Sequence, residues 1–454
     1  MPIKLNMTIL SKKEALLLFV GDVFFFFFSL WLMLLVRYQT LPDRILFVEH
    51  LKAFSILFLV WVIVFFIAGL YEKHTVILKN KLPTTIFNAQ IANSFIAVLF
   101  FYLIPYFGIT PKTNLFIYLL ISFVLMLSWR IYGHSIWGLR KKRKAILIGS
   151  GDEMKELLLE VNNNHKYGLH FVSSLDLDKM DGLDFQEEVL KLIYSEDIHV
   201  VAVDLKNEKV EPLLPNLYNL IFSKVRFIDM YKIYEDIFDR VPLSLVKYSW
   251  FLENVSASPK VAYDLLKRMM DVSIAFILGS ISLIIYPIVA LLVKLEDGGP
   301  IFISQERLGK NNQFIKLHKF RSMSINSKGQ GVEKDPQITK VGKFLRKTRI
   351  DELPQLWDVL GGGISLIGPR PEFLNLVKTY EQEIPYYNVR HLIKPGLSGW
   401  AQLYQRVPPK FGAGVQETKI KLSYDLYYIK NRSFMLDLKI ALKTIKALLS
   451  RSGI

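Results

Sequence analysis

Four long apolar segments in the first third of the sequence constrain its fold more than any other feature. They run over residues 15–36, 54–71, 86–107 and 115–129. Each is close to the length of helix that crosses the hydrocarbon core of a bilayer. No small-residue cleavage site follows the first segment, so we expect a retained helix and not an export signal. The sequence therefore predicts four transmembrane helices within residues 1–139.

Basic residues predict the orientation of these helices. Lysines precede the first segment and follow the second, and the cluster Arg140–Lys144 follows the fourth. By the positive-inside rule these regions face the cytoplasm. The net charge of +16 suits anionic lipids or anionic substrates. Nucleic acid would explain the charge but not the apolar segments, so we expect no nucleic acid partner and a location in a membrane, with the basic regions on its cytoplasmic side.

Two further features narrow the chemistry. The chain has no cysteine, which excludes disulfides and thiolate catalysis. One acid, Asp22, lies inside the first apolar segment. An acid at this depth is either functional or a polar contact between helices, and the sequence leaves both interpretations open.

The segment after the basic cluster has the pattern of a doubly wound α/β domain. Three apolar strands and one helix are predicted, at residues 145–149, 198–203, 225–228 and 152–161. The first turn, Gly149–Met154, lacks the third glycine of the dinucleotide-binding fingerprint. We predict a Rossmann-like domain over residues 140–250 and a linker over 251–264. A bound dinucleotide, a role in regulation or assembly, and a spacer role all stay open.

A fifth apolar segment, residues 272–293, decides the topology of the rest of the chain. If it crossed the membrane, the cationic C-terminal region would lie outside, against the positive-inside rule. Pro287 interrupts the segment, and a proline permits a sharp kink. We therefore expect a re-entrant helix over residues 265–294 that bends near Pro287 and returns to the cytoplasmic face. A kinked helix that crosses the membrane is the alternative.

Two adjacent carboxylates, Asp351 and Glu352, stand in a strongly cationic part of the chain. Apolar spacing in the following residues predicts a helix that begins near Asp351, because Pro354 fits only in a first turn. The helix terminus, with Arg346 and Arg349, should keep Asp351 ionised and attract phosphate. An ionised aspartate there can attack phosphorus, and Glu352 could hold Mg²⁺.

The stiff Pro369-Arg-Pro371 segment presents Arg370, whose planar fork of donors suits phosphate. The stretch from Asp351 to Arg370 thus fits a diphosphate. Taken alone, however, the pair is better explained as a helix-capping aspartate and a solvated glutamate beside a structural arginine.

Six motifs occur in order along the C-terminal region. They are Gln305-Glu-Arg-Leu-Gly309, Lys319-Phe-Arg-Ser-Met323, Asp351-Glu-Leu-Pro-Gln-Leu356, Ser365-Leu-Ile-Gly-Pro-Arg-Pro371, Lys394-Pro-Gly-Leu-Ser-Gly-Trp400 and Tyr424-Asp-Leu-Tyr-Tyr-Ile429. Together they resemble the bacterial sugar transferase family, the monotopic polyprenyl-phosphate phosphoglycosyl transferases. The full arrangement resembles the long members that start exopolysaccharide, O-antigen or capsule repeat units.

The resemblance implies a membrane protein of α plus α/β class, with a monotopic phosphoglycosyl transferase domain and its re-entrant helix over residues 265–454. It implies that a UDP-sugar gives its sugar-1-phosphate to undecaprenyl phosphate and releases UMP. Asp351 would carry the covalent intermediate and Glu352 would bind Mg²⁺, with four cations on phosphate: Arg370, Arg321, Lys319 and Lys394. Family members often carry Ser-Pro at the bend, where this chain has Tyr286-Pro287.

Some questions stay open within this resemblance. Glucose and galactose are the expected sugars, ahead of N-acetylated ones, and a homodimer is left open. A membrane-bound nucleotide-sugar dehydratase or dehydrogenase is the rival enzyme, because Tyr263 and Lys267 have the Tyr-x-x-x-Lys spacing. That pair abuts the re-entrant segment and not the α/β domain. A non-catalytic scaffold for polysaccharide assembly is the second rival, and the intact Asp351, Glu352 and Arg370 argue against it.

Overall fold

The structure is a computed structural model of the chain. It describes residues 12–71, 82–104, 111–137, 143–164, 167, 169–179, 191–192, 195–196, 198–219, 225–255, 260–324, 338–405 and 414–449. Some of the basic residues used to predict topology lie outside these ranges, namely Lys4, Lys73, Lys79, Lys81 and Arg140–Lys142. The chain forms two compact units, Met1–Ile237 and Phe238–Ile454.

The first unit begins with four long helices. They are α1 (Lys12–Tyr38), α2 (Arg44–Ile67), α3 (Leu82–Leu103) and α4 (Pro111–Trp137). All four are long and apolar enough to cross a membrane, which suggests a membrane protein. The second helix starts at Arg44 and not at residue 54, because Asp43 caps it by accepting a hydrogen bond from the Leu46 amide at 2.8 Å.

Aromatic side chains fill the centre of the four-helix region. The rings of Phe26, Trp61 and Tyr118 are fully buried, with the Trp61 and Tyr118 centroids 5.2 Å apart. Their polar atoms have partners on other helices. The Trp61 indole donates to the carbonyl of Asn93 at 3.2 Å, and the Tyr118 hydroxyl donates to the carbonyl of Phe26 at 3.2 Å. Such contacts hold apolar helices together where burial alone gives little preference for one arrangement.

Asp22 is completely buried in this bundle. It forms an ion pair with Arg130 of α4. The same guanidinium donates to the carbonyl of Leu70 at 2.5 Å and lies 5.0 Å from the centre of the Tyr71 ring. Of the two interpretations of Asp22, the structure therefore supports a polar contact between helices.

An α/β region follows in the same unit. Its elements are β1 (Arg143–Gly149), α5 (Gly151–Asn163), β2 (Leu169–Asp176), β3 (Val200–Val203), α6 (Leu214–Asn219), β4 (Arg226–Asp229) and α7 (Met230–Phe238). The four strands are parallel and lie in the order β2-β1-β3-β4. All four residues of β3 are buried, as expected for a strand in the middle of a parallel sheet.

The turn after β1 is closely packed. Gly151 has φ of +82°, a left-handed conformation that favours glycine. A Cβ on Gly149 would lie 2.8 Å from the sulfur of Met230, so a side chain there would collide with α7. Met154, at the position of the missing third glycine, is buried, and its Cγ lies 3.8 Å from that same Cβ position.

The second unit holds the C-terminal elements. They are α8 (Tyr248–Asn254), α9 (Val261–Ser282), α10 (Tyr286–Asp297), β5 (Phe302–Leu308), β6 (Phe314–Phe320), α11 (Lys340–Thr348), α12 (Gln355–Leu360), β7 (Ser365–Ile367), α13 (Leu374–Glu383), β8 (Gly396–Ser398), α14 (Trp400–Tyr404), α15 (Val415–Asn431) and α16 (Phe434–Leu449). Strands β5 and β6 form an antiparallel hairpin, and β7 pairs with β8 in parallel.

Helices α9 and α10 form a pair bent by 59°. Pro287 lies in the first turn of α10, where its missing N–H costs no helix hydrogen bond. At the end of α9 the Ser282 hydroxyl donates to the carbonyl of Gly279 at 2.6 Å. The Tyr286 hydroxyl accepts from the Trp357 indole at 3.2 Å, so this tyrosine contacts a neighbouring side chain at the bend.

Both arms of this bent pair pack on the same α/β core. On α9, Asp271 accepts from the Ser365 hydroxyl at 2.7 Å and from the Leu366 amide at 3.2 Å. On α10, Val293 packs in one cluster with Phe320 and Leu345. The opposite face of the pair is apolar and exposed, and its residues include Phe276, Ile284 and Leu291.

Tyr263 and Lys267, whose spacing resembles a dehydrogenase pair, bind one buried carboxylate. Asp437 of α16 accepts from the Tyr263 hydroxyl at 2.8 Å and from the Lys267 ammonium at 3.0 Å. It also accepts from the Tyr428 hydroxyl at 2.7 Å. These contacts join α9 to α15 and α16, so the pair is an anchor between helices.

Candidate active site

Strand β6 and the residue that follows it carry two of the predicted phosphate-binding cations, Lys319 and Arg321. On the other face of the strand, His318 contacts Asp358 of α12 through its ring nitrogen Nδ1 at 2.6 Å. The amide of His318 donates to the second oxygen of Asp358 at 2.8 Å. These two contacts hold His318 against α12. Because side chains alternate along a strand, Lys319 then points from the other face toward the loop that precedes α12.

The acidic pair lies in a tight turn that begins at Arg349. Arg349 has φ of 58° and ψ of 15°, a left-handed conformation that is uncommon outside glycine. A 3₁₀ turn, Ile350–Glu352, follows and contains both carboxylates. The prediction that the α-helix begins near Asp351 is therefore wrong. Its first residue is Gln355, because the preceding residues close i→i−3 bonds and Pro354 has no N–H to donate.

Three cations from three different segments surround Glu352. The Lys319 ammonium and the Arg370 guanidinium lie 2.9 and 3.0 Å from its Oε1. The Arg349 guanidinium lies 3.2 Å from its Oε2. Burial acts to raise the pKa of Glu352, but Arg370, Lys319 and Arg349 outweigh it and hold the pKa well below its ordinary value.

The neighbouring carboxylate behaves in the opposite way. Burial and the adjacent charge of Glu352 raise the pKa of Asp351, and Lys319, Arg346 and Arg349 offset only part of this effect. The sequence led us to expect that the helix terminus, Arg346 and Arg349 keep Asp351 ionised. Both arginines do favour the charged form of Asp351, but burial and Glu352 outweigh them, and Arg349 directly contacts Glu352 instead. Two adjacent carboxylates therefore have pKa values shifted in opposite directions.

One oxygen of Asp351 also lacks a hydrogen-bond partner. Its side chain is buried, and its Oδ1 makes no hydrogen bond. The side-chain nitrogen Nε2 of Gln355, one turn further on, is also buried and unpartnered. A buried carboxylate oxygen without a partner is costly, and such atoms point to a functional role.

The donor set around this pair can be compared with the needs of a magnesium ion. Mg²⁺ usually takes one or two carboxylates and completes its shell with substrate phosphates and water. Within the part of the chain that the structure describes, no group of three or more carboxylates and histidines could hold a metal alone. Asp351 Oδ1 is available, whereas Glu352 is paired with three cations that a substrate phosphate would have to take over. The pair therefore fits a magnesium ion that a bound diphosphate helps to hold.

Arg370 is carried to Glu352 by a loop between strands. Strand β7 pairs with β8 from Ser365↔Gly396 to Ile367↔Ser398. The two chains approach so closely that a Cβ on Gly368 would lie 2.6 Å from the carbonyl oxygen of Lys394. The Pro-Arg-Pro segment leaves this crossing directly and holds Arg370 against the acidic pair.

The structure gives Arg321 and Lys394 other contacts. The buried Arg321 donates to the carbonyl of Val293 at 3.2 Å, near the end of α10. Lys394 lies beside Arg268 at the glycine turn after α12. A Cβ on Gly362, which has φ of +84°, would lie 3.7 Å from the Lys394 ammonium and 3.6 Å from the Arg268 guanidinium. Lys319 and Arg370 are thus the two predicted cations that contact Glu352.

Two arginines of the site were not among the site residues predicted from the sequence. Arg349 was expected only to act on Asp351, whereas it pairs with Glu352. Arg307 of β5 is buried over the ring of Phe373, 3.1 Å from its centre. Burial and the nearby charge of Arg370 lower the pKa of Arg307 to about 10. Arg307 belongs to the Gln305–Gly309 motif, and this motif was the one sequence signal that could have pointed to it.

Comparison with known proteins identifies the family. A model of the bacterial sugar transferase family matches residues 262–451. The exopolysaccharide production protein PSS of Rhizobium leguminosarum bv. phaseoli is 37% identical over 196 residues, which cover 41% of this chain and 96% of that relative. The chain belongs to the bacterial sugar transferase family. The segment matched by the family model contains every predicted site residue and both arms of the bent helix pair.

Two further relatives extend the comparison of this sugar transferase. A UDP-N-acetylgalactosamine-undecaprenyl-phosphate N-acetylgalactosaminephosphotransferase of Aeromonas hydrophila is 42% identical over 214 residues, which cover 46% of this chain and 50% of that relative. The chain thus spans half the length of the Aeromonas protein. A UDP-galactose-lipid carrier transferase of Erwinia amylovora is 28% identical over 352 residues, which cover 69% of each chain.

Proposed function

We propose that this protein transfers sugar-1-phosphate from a UDP-sugar to undecaprenyl phosphate and releases UMP. The observation that carries the proposal is the unequal acidic pair. Asp351 has a buried oxygen with no partner, beside a glutamate that gathers three cations. Two of the relatives are named for this kind of transfer, with N-acetylgalactosamine and galactose as their sugars.

The reaction takes place in two displacements at one phosphorus atom. The Asp351 oxygen attacks the phosphorus that bears the sugar, and the bond from that phosphorus to the UMP oxygen breaks. UMP leaves, and an aspartyl sugar-phosphate remains. An oxygen of undecaprenyl phosphate then attacks the same phosphorus. The bond to Asp351 breaks, which restores the carboxylate and yields the undecaprenyl-diphosphate-sugar.

Cations at the site serve the diphosphate. Lys319, Arg349 and Arg370 converge from three segments on one carboxylate, and a diphosphate can replace that carboxylate as their partner. Arginine forks suit phosphate oxygens, and the positions are set before the substrate arrives. We assign Arg321 and Lys394 a weaker role in phosphate binding, consistent with their contacts elsewhere.

Magnesium is part of this proposal. Glu352, with Asp351 beside it, would hold the ion together with oxygens of the diphosphate. A bound Mg²⁺ would supply Lewis-acid stabilisation of the charge that develops on the leaving phosphate. Displacement of the arginine and lysine contacts from Glu352 by the diphosphate frees the carboxylate for this purpose.

We further propose that α9 and α10 form a re-entrant membrane helix. Two observations support this topology. Asp271 on one arm and Val293 on the other both pack on the same α/β core, which favours an arrangement in which both arms return to one side of the bilayer. The outer face of the pair is apolar and exposed, as expected where it contacts lipid.

The rest of the architecture is proposed in the same way. Helices α1–α4 cross the cytoplasmic membrane within residues 1–139, and a Rossmann-like domain over residues 140–250 leads through 251–264 to the catalytic domain. The catalytic domain lies on the cytoplasmic face. Its product would be the first lipid-linked intermediate of exopolysaccharide, O-antigen or capsule synthesis.

The experiment that tests the reaction is UMP release by purified protein in nanodiscs with undecaprenyl phosphate and Mg²⁺. UDP-glucose, UDP-galactose, UDP-N-acetylglucosamine and UDP-N-acetylgalactosamine are each supplied in turn. We expect UMP from at least one donor, and no detectable UMP from the Asp351→Asn variant. Folded protein that releases no UMP from any donor would contradict the proposed reaction. Activity that survives in the variant would remove Asp351 as the nucleophile.

A further inference from the structure

Arg390 is a fully enclosed arginine directly behind the loop that carries Arg370. Its side chain is 2% exposed. One nitrogen, Nη2, donates to the backbone carbonyl of Arg370 at 2.9 Å. The other, Nη1, donates to the Tyr387 hydroxyl at 2.6 Å and to Glu372 at 3.3 Å. Arg390 therefore binds the chain on both sides of Pro371.

The contacts around Arg390 form a closed, electrically balanced group. Asp425 of α15 lies 2.9 Å from its Nη2. Glu372 is also paired with Lys421 of α15. Two cations and two carboxylates thus compensate each other away from water. Burial acts to raise the pKa of Glu372, but Lys421 and Arg390 hold it at about 2, so Glu372 stays charged at neutral pH.

Because Arg390 holds the backbone carbonyl of Arg370, it also restricts the orientation of the Arg370 side chain. Pro369 and Pro371 restrict the backbone on either side of Arg370, so few torsions remain free. Arg390 removes the remaining freedom of the loop by holding the Arg370 carbonyl and Glu372. The Arg370 guanidinium is then aimed at Glu352, 3.0 Å away.

We propose that Arg390 is a positioning residue, which acts on phosphate transfer through the orientation of Arg370. The inference rests on the proposed function for its kinetic part. Arg390 touches neither carboxylate of the acidic pair, and the main-chain carbonyl of Arg370 is its link to the site. A lysine at this position would keep the charge but not the planar fork that reaches the carbonyl and Glu372 together.

The test is a double-mutant cycle on UMP release with Arg390→Lys, Arg370→Lys and the combined variant. We expect Arg390→Lys to lower kcat by about 10- to 100-fold, the range that a displaced catalytic group produces. In the Arg370→Lys background, Arg390→Lys should cost less than about 3-fold more, because its effect passes through Arg370. Effects that multiply, or an Arg390→Lys enzyme with wild-type kcat, would overturn the proposal.

Lys421→Arg serves as the matched comparison. It changes the other buried cation on Glu372, keeps its charge and has no contact with the Arg370 carbonyl. Its effect should multiply with that of Arg370→Lys, which separates positioning from general loss of packing. If Arg390→Lys does not fold by thermal unfolding, Tyr387→Phe takes its place, because it removes one hydrogen bond of Arg390 and no charge.

A second readout does not depend on activity. Modification of Arg370 by phenylglyoxal, followed by peptide mass spectrometry, reports how firmly its guanidinium is held. We expect faster modification in Arg390→Lys than in wild type or Lys421→Arg. An unchanged rate would overturn the positioning role even if no UMP were formed. Absence of UMP from wild type with the expected change in modification would instead contradict the proposed reaction alone.

Discussion

At the scale of single residues, the site depends on the unequal treatment of two adjacent carboxylates. Glu352 has three cationic neighbours, whereas the buried oxygen Oδ1 of Asp351 has no hydrogen-bond partner. A carboxylate that is buried without partners is a stronger nucleophile than a solvated one, because its charge is less stabilised. In the proposed reaction, the same arrangement would place cations next to the diphosphate while the attacking oxygen of Asp351 keeps no hydrogen-bond partner.

This inequality predicts the pH dependence of the reaction. Asp351 must be deprotonated to attack, and its pKa is raised. UMP release should therefore fall, as pH decreases, around an apparent pKa above the value of about 3.9 for an ordinary aspartate. Lys319→Met should move this acid limb to still higher pH, because Lys319 favours the charged form of Asp351. The measurement is kcat/KM for UMP release against pH.

The control for this prediction is Lys316→Met. Lys316 lies on the same strand as Lys319 but is exposed and pairs across the hairpin with Glu306. It should leave the acid limb unchanged. A limb that does not move in Lys319→Met, or that moves equally in both variants, would contradict the assignment of the limb to Asp351.

At the scale of elements, the bent pair α9–α10 shows what a sequence can and cannot predict. Pro287 and the charge distribution predict a bend and its place in the chain. They do not predict how the bend is held, because this depends on contacts with distant residues. Trp357 of α12 packs 3.6 Å from the Cβ position of Gly279 and donates to Tyr286. Trp357 therefore contacts both the end of α9 and the start of α10 at the bend.

The same limit explains the wrong boundary of α12. Apolar spacing predicts a face made of Leu353, Leu356, Trp357 and Leu360. Leu356 is buried as expected, but Trp357 is exposed, and Val359, outside that spacing, is fully buried. Apolar spacing also cannot show that Arg349 adopts a left-handed conformation, since arginine rarely does so. The 3₁₀ turn that contains Asp351 begins directly after that residue. The partners of Glu352 were likewise hidden, because Lys319 and Arg370 approach from other segments.

Single cysteines test the re-entrant topology, since the chain contains none of its own. We consider Val261→Cys and Leu295→Cys near the outer ends of the two arms, and Ile284→Cys at the bend, where the exposed fractions are 68%, 74% and 75%. A membrane-impermeant maleimide added to intact spheroplasts should label none of them. After permeabilisation it should label positions 261 and 295, and position 284 should stay protected by lipid.

A helix that crosses the membrane gives a different pattern. One of the two end positions, 261 or 295, would then be labelled in intact spheroplasts. Tyr248→Cys, on an exposed position of α8 in the same unit, provides the control for a site that should become accessible only after permeabilisation.

At the scale of the whole molecule, the sequence predicts the four long apolar helices best. Four apolar segments and four helices agree because length and hydropathy alone determine them. The pairing of Asp22 with Arg130 was not predictable, because it joins residues far apart in the chain. The contacts of Tyr263 and Lys267 with Asp437 were not predictable for the same reason. Local pattern gives the elements, and tertiary contacts decide the roles of their polar residues.

The central claim is that Asp351 carries the sugar phosphate during transfer. The most direct measurement is the intact mass of the purified protein after incubation with Mg²⁺ and the active UDP-sugar, without undecaprenyl phosphate. We predict that the wild-type protein gains the mass of one sugar phosphate and loses it when undecaprenyl phosphate is added. The adduct should map to the peptide that contains Asp351 and be absent from Asp351→Asn. UMP release without any adduct, or an adduct on another residue, would contradict the account.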